Sequence, residues 1–196
     1  SVITKSALVA RDADLLGALA RDHAAHALCS ITTLDPELAR RLEPRAAAPA
    51  RRLEAIAALH AAGVPVGVMV APVIPGLNDE EIPRILAAAA SAGASSAGWV
   101  MLRLAAPLDQ IFTTWLAEHY PDRQARVLNR IRETRDGRIS DTRFGRRMRG
   151  TGPYAEHLAA LFAVSTRKHG LDRPLPALSS AAFRRPTLVG DQMRLL

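Results

Sequence analysis

Pro65-Val-Gly-Val-Met-Val-Ala-Pro-Val-Ile-Pro-Gly-Leu-Asn-Asp79 is the stretch whose reading decides the fold. Val66–Ala71 is short, uncharged and largely β-branched, and it lies between prolines, which reads as a strand buried on both faces. A proline–glycine loop follows, and Asn78 or Asp79 then takes the N-cap position of a helix with Glu80 and Glu81 in its first turn. A strand that leaves through such a loop into a helix is the exit of a parallel βα unit, where α/β proteins place their ligand sites. The loop carries no catalytic group, so its expected part is to wall a pocket.

Working outward, the same alternation recurs. Upstream, Val2–Thr4 reads as the stub of a strand and Arg11–Asp22 as a helix with a stripe of Leu15, Leu16, Ala18 and Leu19. His26–Thr32 is the second strand. A short helix runs from Thr33 to Arg41, with Asp35 as N-cap and Pro36 at its first position. A longer helix spans Pro49–Ala62, with Leu53, Ile56, Ala57 and Leu59 inward and Gly63 as its stop. Downstream come a helix over Asp79–Ala92 ending at Gly93, a fourth strand over Ala97–Leu104, and helices over Pro107–His119 and Asp122–Thr134. A glycine- and arginine-rich linker, Arg143–Gly152, precedes a last helix over Pro153–Gly170 and a proline-dotted tail with little expected regular structure.

Strand–helix alternation with buried strands predicts an α/β fold with a parallel sheet and right-handed crossovers. Four such units are about half of an eight-stranded barrel, so the expected architecture is a partial TIM barrel of βα repeats, incomplete, with extra C-terminal helices. An open sheet is the alternative. The expected division is 1–106 for the half-barrel, 107–170 for a helical extension containing the basic linker 143–152, and 171–196 for the tail. No helix precedes the first strand, and Ser1–Thr4 starts inside a strand-like run. One edge of the sheet is therefore expected to be completed by a missing N-terminal half of the barrel.

Composition narrows the class. With 196 residues, 48% hydrophobic and 23% charged, the chain has enough apolar content for a folded core. It shows no apolar run of membrane-span length and no signal peptide, and a reducing cytoplasm is the expected compartment. A single cysteine, Cys29, excludes an internal disulfide or a closed cysteine-rich metal site. The net charge of +7 and a pI near 10.8 come almost wholly from arginine, which suits a polyanion and equally suits a biased base composition.

Functional residues in a parallel barrel project from the carboxyl ends of the strands. Those positions hold Lys5-Ser6, then Ser30 with Thr32-Thr33, then Ala71-Pro72, then Leu102-Arg103. A lysine, hydroxyls and an arginine at one mouth would seat a ligand bearing a carboxylate and ribose hydroxyls, with the main chain at Ala71-Pro72 against a flat ring. The plainer alternative is that the hydroxyls cap helices and Lys5 lies in solvent.

Ile-Thr-Lys-Ser at 3–6, Ser-Ile-Thr-Thr-Leu-Asp-Pro-Glu-Leu-Ala-Arg-Arg-Leu-Glu-Pro-Arg at 30–45 and the 65–79 stretch together resemble the later half of a radical S-adenosylmethionine (radical SAM) protein. The subgroup they resemble is the spore-photoproduct-lyase-like, or DNA repair photolyase-like, proteins. The likeness runs from Val2 to about Leu104, and Arg143–Pro153 resembles the subgroup's continuation. It implies a partial (β/α)6 barrel whose [4Fe–4S] cluster sits on a CxxxCxxC loop after the first strand, with this chain covering strands three to six and lacking that loop. It further implies that Lys5 and Ser30 lie near the methionyl carboxylate or ribose of S-adenosylmethionine, and Ala71 near its adenosyl part. Thr32, Pro72 and Arg45 are implied neighbours. The activity implied is reductive cleavage of S-adenosylmethionine to a 5′-deoxyadenosyl radical, in a lyase-like enzyme acting on nucleic acid. This chain alone is expected to be inactive.

Two other function classes stay open: a barrel enzyme using Lys5 as a Schiff base, and a non-enzymatic basic module. For the latter, Arg143, Arg146, Arg147 and Arg149 would hold phosphates while Phe144 or Tyr154 stacks on a base. The alternative is that these arginines pair with Asp136, Asp141 and Glu156. Cys29 reads as core, Trp99 and Trp115 likewise, and the six histidines have no metal-ligand spacing. Glu43 and Arg45 flank Pro44; they either pair with each other, the expected case, or point to the mouth.

Overall fold

The computed structural model describes residues 1–140, 143 and 146–185. Four strands, β1 (Val2–Thr4), β2 (Ala27–Ser30), β3 (Val66–Val73) and β4 (Ser96–Met101), form one sheet. Every neighbouring pair is parallel, and the order in space repeats the order in sequence. Among the described residues there are seven α-helices: α1 (Ala13–Arg21), α2 (Pro36–Leu42), α3 (Pro49–Ala61), α4 (Ile82–Ser91), α5 (Leu108–His119), α6 (Pro121–Glu133) and α7 (Pro153–Lys168). Strand order that advances without reversal is how a barrel wall is laid down, whereas a doubly wound sheet turns back at a switch point. The fold is α/β and consistent with a partial βα barrel.

Side-chain alternation along the strands divides the sheet into two unlike faces. Ala27, Cys29, Val66, Val68, Val70, Trp99 and Met101 pack against Ile56 and Leu59 of α3, Ile85 and Leu86 of α4, and Leu158 and Phe162 of α7. On the other face Leu28, Met69 and Val100 are half-buried, and Ile3 is 63% exposed. Val66–Ala71 is thus not buried on both faces, because among the described residues the helices cover one side of the sheet only. β3 also runs beyond the expected Ala71, through Pro72. The missing proline N–H is accommodated where the β3–β4 register shifts between Val70 and Val73. Past that shift Leu102 N–H still donates to Val73 O (2.8 Å), but Leu104 turns into a second core, so β4 ends at Met101.

Several element ends follow their sequence signals. Asp35 caps α2, its Oδ1 accepting from Glu37 N–H at 2.8 Å, with Pro36 leading the helix. Gly63, at φ 77°, closes the segment after α3. The first expected helix instead begins as a 3-10 turn, Ala7–Asp12, capped by Ser6, and only Ala13–Arg21 is α-helical. Of its leucine stripe only Leu16 packs on the core: Leu15 and Leu19 are 62% and 49% exposed, and Gly17 and Ala20 are buried instead. Gly17 is the contact point with α3, since a Cβ there would stand 2.4 Å from Ala62 O. On α3 Ala57 faces outward, while Arg52 joins Ala55, Ile56 and Leu59 on the buried row. The start of the tail has a defined place. Ala97 N–H donates to Leu171 O (3.0 Å) and Ser96 bridges Asp172 antiparallel, so the chain here covers the outer edge of β4.

The second core joins Leu38 of α2, Ile74 and Leu77 of the β3 exit loop, Phe112 and Leu116 of α5, and Val127 and Ile131 of α6. The α5–α6 pair therefore braces the strand-exit loops rather than extending the barrel wall.

Candidate functional site

The strand exits converge on one carboxylate. Glu43 closes the C-terminus of α2, and its Oε1 accepts from Lys5 Nζ, which follows β1, and from Thr32 Oγ1 at 2.9 Å, just past β2. Thr32 Oγ1 also lies 3.0 Å from Ala71 O on β3. The second carboxylate oxygen, Oε2, accepts from Arg52 Nη2 at 2.7 Å. Arg52 spends its other donors inside the protein, Nη1 on Ser30 O (3.0 Å) and Nε on Ala47 O (2.7 Å). Lys5, Ser30, Thr32 and Ala71 are thus brought together at one rim. Pro72 adjoins them through Asn78, whose Nδ2 donates to Thr32 O (2.7 Å) and Pro72 O (3.0 Å) while its Oδ1 accepts from Ile74 N–H (2.6 Å).

The electrostatics of this rim are those of a shielded ion-pair network. The side chain of Arg52 is 3% exposed and that of Glu43 12%, whereas Lys5 keeps 36% of its side chain in solvent. Burial pushes the Glu43 carboxyl up, but hydrogen bonds from Lys5, Arg52 and Thr32 outweigh it and hold the group below its ordinary value. A buried guanidinium with each nitrogen engaged is a fixed structural charge, while the half-exposed ammonium retains donors for a ligand.

Some sequence expectations fail here. Glu43 pairs with Lys5 and Arg52 and not with Arg45, which is exposed, as is Arg103. Ser6 is a cap, its Oγ accepting from Leu8 N–H (3.2 Å). Thr33 accepts from Asp35 N–H (3.0 Å) and donates to Glu81, so the capping alternative holds for these two hydroxyls. Asn78 takes the expected N-cap position, ahead of a 3-10 turn over Asp79–Glu81, but its side chain makes no cap bond there. Arg52 was not singled out by sequence, although a signal existed: an arginine falling on the row of Ala55, Ile56 and Leu59 is a charge on an apolar face.

The basic linker is largely committed within the chain. Arg143 and Arg146 both reach Asp136, at 2.7 and 2.9 Å, and these contacts, Arg143 first, hold its carboxyl below the usual range. The guanidinium of Arg149 lies 4.6 Å above the Trp99 ring, and burial lowers its pKa. Arg147 is half-buried. Tyr154, expected as a stacking platform, donates its hydroxyl to the buried Asp79 and lies beneath Arg130, 4.3 Å from guanidinium carbon to ring centroid. Burial and the Asp79 bond push the Tyr154 phenol up to about 12. Asp141 and Phe144 lie outside the described residues. A cavity of about 560 Å³ beside β4, lined by Trp99, Phe162, Ala155 and Arg149, is mostly apolar and shares no residue with the rim.

The described residues contain no group of three histidine, cysteine or acidic side chains able to hold a metal ion. Cys29 is 2% exposed on the helix-facing side of β2, and burial raises its thiol to about 11, so it does not suit a cluster ligand. The described residues therefore do not fit an iron–sulfur cluster. The rim gathers a half-exposed ammonium, a carboxylate and a buried hydroxyl into one hydrogen-bonded set, beside the half-buried Ala71 and Pro72. Among the described residues no helix is long and apolar enough to cross a membrane.

Two uncharacterized proteins, one from Mycobacterium bovis and one from Mycobacterium tuberculosis, are each 34% identical to the chain over 186 residues. The match takes in 93% of the chain and 52% of each relative, so the chain spans about half the length of the curated relatives it matches. No solved structure matches significantly. Residues 1–89, the segment that carries β1 to β3 and the whole rim, match the family model of the Radical SAM superfamily.

Proposed function

We propose that this chain is the part of a radical SAM enzyme that binds S-adenosylmethionine, with the rim of Lys5, Ser30, Thr32, Ala71 and Pro72 as its seat. The observation that carries the reading is the convergence of Lys5 and Thr32 on Glu43, with Ser30 and Ala71 joined to them through Arg52 and Thr32, inside the segment that matches the superfamily. Lys5 would hold the methionyl carboxylate, the hydroxyls of Ser30 and Thr32 would meet ribose or amino groups, and the main chain at Ala71-Pro72 would line the adenosyl ring. Reductive cleavage of S-adenosylmethionine is the chemistry a [4Fe–4S] cluster would supply, and its ligands would be residues other than those described. The part of these residues is to bind and orient.

The exposed apolar side chains at the β1 edge, Ile3, Leu8, Leu15 and Leu19, support a reading in which further βα units cover that side. The photoproduct-lyase-like subgroup rests on the quoted residue segments alone. Action on nucleic acid draws little support from the linker, since Arg143 and Arg146 already share Asp136. The Schiff-base alternative is disfavoured by the ion pair that occupies Lys5. The test is titration of S-adenosylmethionine into the full-length protein. Lys5→Ala should weaken binding about tenfold, the scale of one charge-assisted hydrogen bond, and an unchanged affinity removes Lys5 from the site.

A further inference from the structure

We propose that Arg52, buried beneath the rim and out of reach of any ligand there, is the positioning residue that aims Lys5 at the methionyl end of the ligand. The inference rests on the reading of the rim as a seat for S-adenosylmethionine. Each nitrogen of its guanidinium is tied to a different segment: Nε to Ala47 in the α2–α3 loop, Nη1 to Ser30 at the end of β2, and Nη2 to Glu43. Only Oε2 of Glu43 is taken by Arg52, which leaves Oε1 turned to Lys5 and Thr32. The planar fork therefore fixes the rotation of the carboxylate, and the carboxylate, braced by the buried Thr32 hydroxyl, in turn fixes Lys5, the half-exposed group that faces the ligand. A lysine at this position cannot reproduce three divergent hydrogen bonds in one plane. With Arg52→Lys, Glu43 is free to rotate and Lys5 loses its aim, although the charge beneath the rim is kept.

The network lies on the Lys5 side of the rim, so its loss should be felt by the amino-acid end of a ligand and not by the adenosine end. That separates positioning from general loosening of the fold. The probes are S-adenosylhomocysteine, which keeps the amino-acid end, and 5′-methylthioadenosine, which lacks it. Both are titrated calorimetrically into the full-length protein. Arg52→Lys and Glu43→Gln should each weaken S-adenosylhomocysteine about tenfold and leave 5′-methylthioadenosine within twofold. Arg52→Lys combined with Lys5→Ala should be no weaker than Lys5→Ala alone, because both act through one contact. Equal weakening of the two probes, or full additivity, overturns the positioning role. If Arg52→Lys does not fold, Glu43→Gln alone decides by the same comparison of probes. If Lys5→Ala leaves S-adenosylhomocysteine unaffected, the rim reading itself fails; if Lys5→Ala weakens it and Arg52→Lys does not, only the role of Arg52 fails.

Discussion

Replacing Asn78 by alanine tests the claim that one neutral side chain holds the exits of β2 and β3 together. Asn78 is 2% exposed, and its amide makes three hydrogen bonds: to Thr32 O (2.7 Å), to Pro72 O (3.0 Å) and from Ile74 N–H (2.6 Å). Alanine removes all three and leaves main-chain groups without those partners in a buried setting. At about 1 kcal/mol net for each bond, the loss comes to about 3 kcal/mol, near the upper range for a single substitution. For a domain of this size that corresponds to a fall in Tm of roughly 6–12 °C. Urea denaturation followed by far-UV circular dichroism measures it, with the slope of the transition checked for constancy. Asn78→Asp sharpens the test, because at neutral pH it turns a carboxylate oxygen toward two carbonyl oxygens. The introduced carboxyl would have its folded pKa raised, so stability should be regained on acidification and lost as pH rises through that value. A loss under about 1 kcal/mol for Asn78→Ala, or an Asn78→Asp deficit independent of pH, would refute the reasoning.

Three further expectations follow from packing and charge. Gly17→Ala should destabilise by about 2 kcal/mol, because its Cβ would meet Ala62 O at 2.4 Å and a main-chain atom has little room to yield; thermal melts check this, and an unchanged Tm would mean α1 shifts without cost. Tyr154→Phe should cost about 2 kcal/mol, since Asp79 Oδ2 would keep the Gly76 N–H (3.0 Å) and lose the phenol, while Oδ1 already has no partner among the described residues. The third concerns acid. Glu43 titrates below its reference value of 4.5, so its contribution is complete above that pH and drains away as pH falls through the lowered folded value. The gap in urea midpoint between the parent protein and Glu43→Gln should hold steady from neutral pH down to about 5 and narrow on further acidification, and a gap that widens as the pH falls contradicts the network.

How much of this was legible beforehand differs by element. Asp35-Pro36 announced α2, and Gly63 and Gly93 marked where segments turn, because caps and left-handed turns are local chemistry readable from a few residues. The rim positions Lys5, Ser30, Thr32 and Ala71 were also legible, since parallel βα repeats put strand-exit residues on one side whatever the detail of packing. Which hydroxyls faced the rim was not. Thr32 and Thr33 are adjacent and chemically alike, and only the path of the chain past β2 sends one to Glu43 and the other to Glu81. Leu15 and Leu19 have the spacing of a core stripe, yet they are exposed, because periodicity shows that a helix has an apolar face and not what that face meets.

By itself, then, the sequence determined the class of the fold, the parallel βα alternation and the end of the sheet where Lys5, Thr32 and Ala71 meet, all of which depend on short-range spacing and residue type. Tertiary structure alone decided that Glu43 gathers Lys5, Thr32 and Arg52, that the Asn78 side chain bridges two strand exits, and that the linker arginines pair with Asp136 and lie on the Trp99 ring. The reason is one of range. Propensities and caps act within a turn or two of chain, whereas a buried ion pair is settled by whichever opposite charge the folded backbone brings within about 3 Å, however distant it is in sequence.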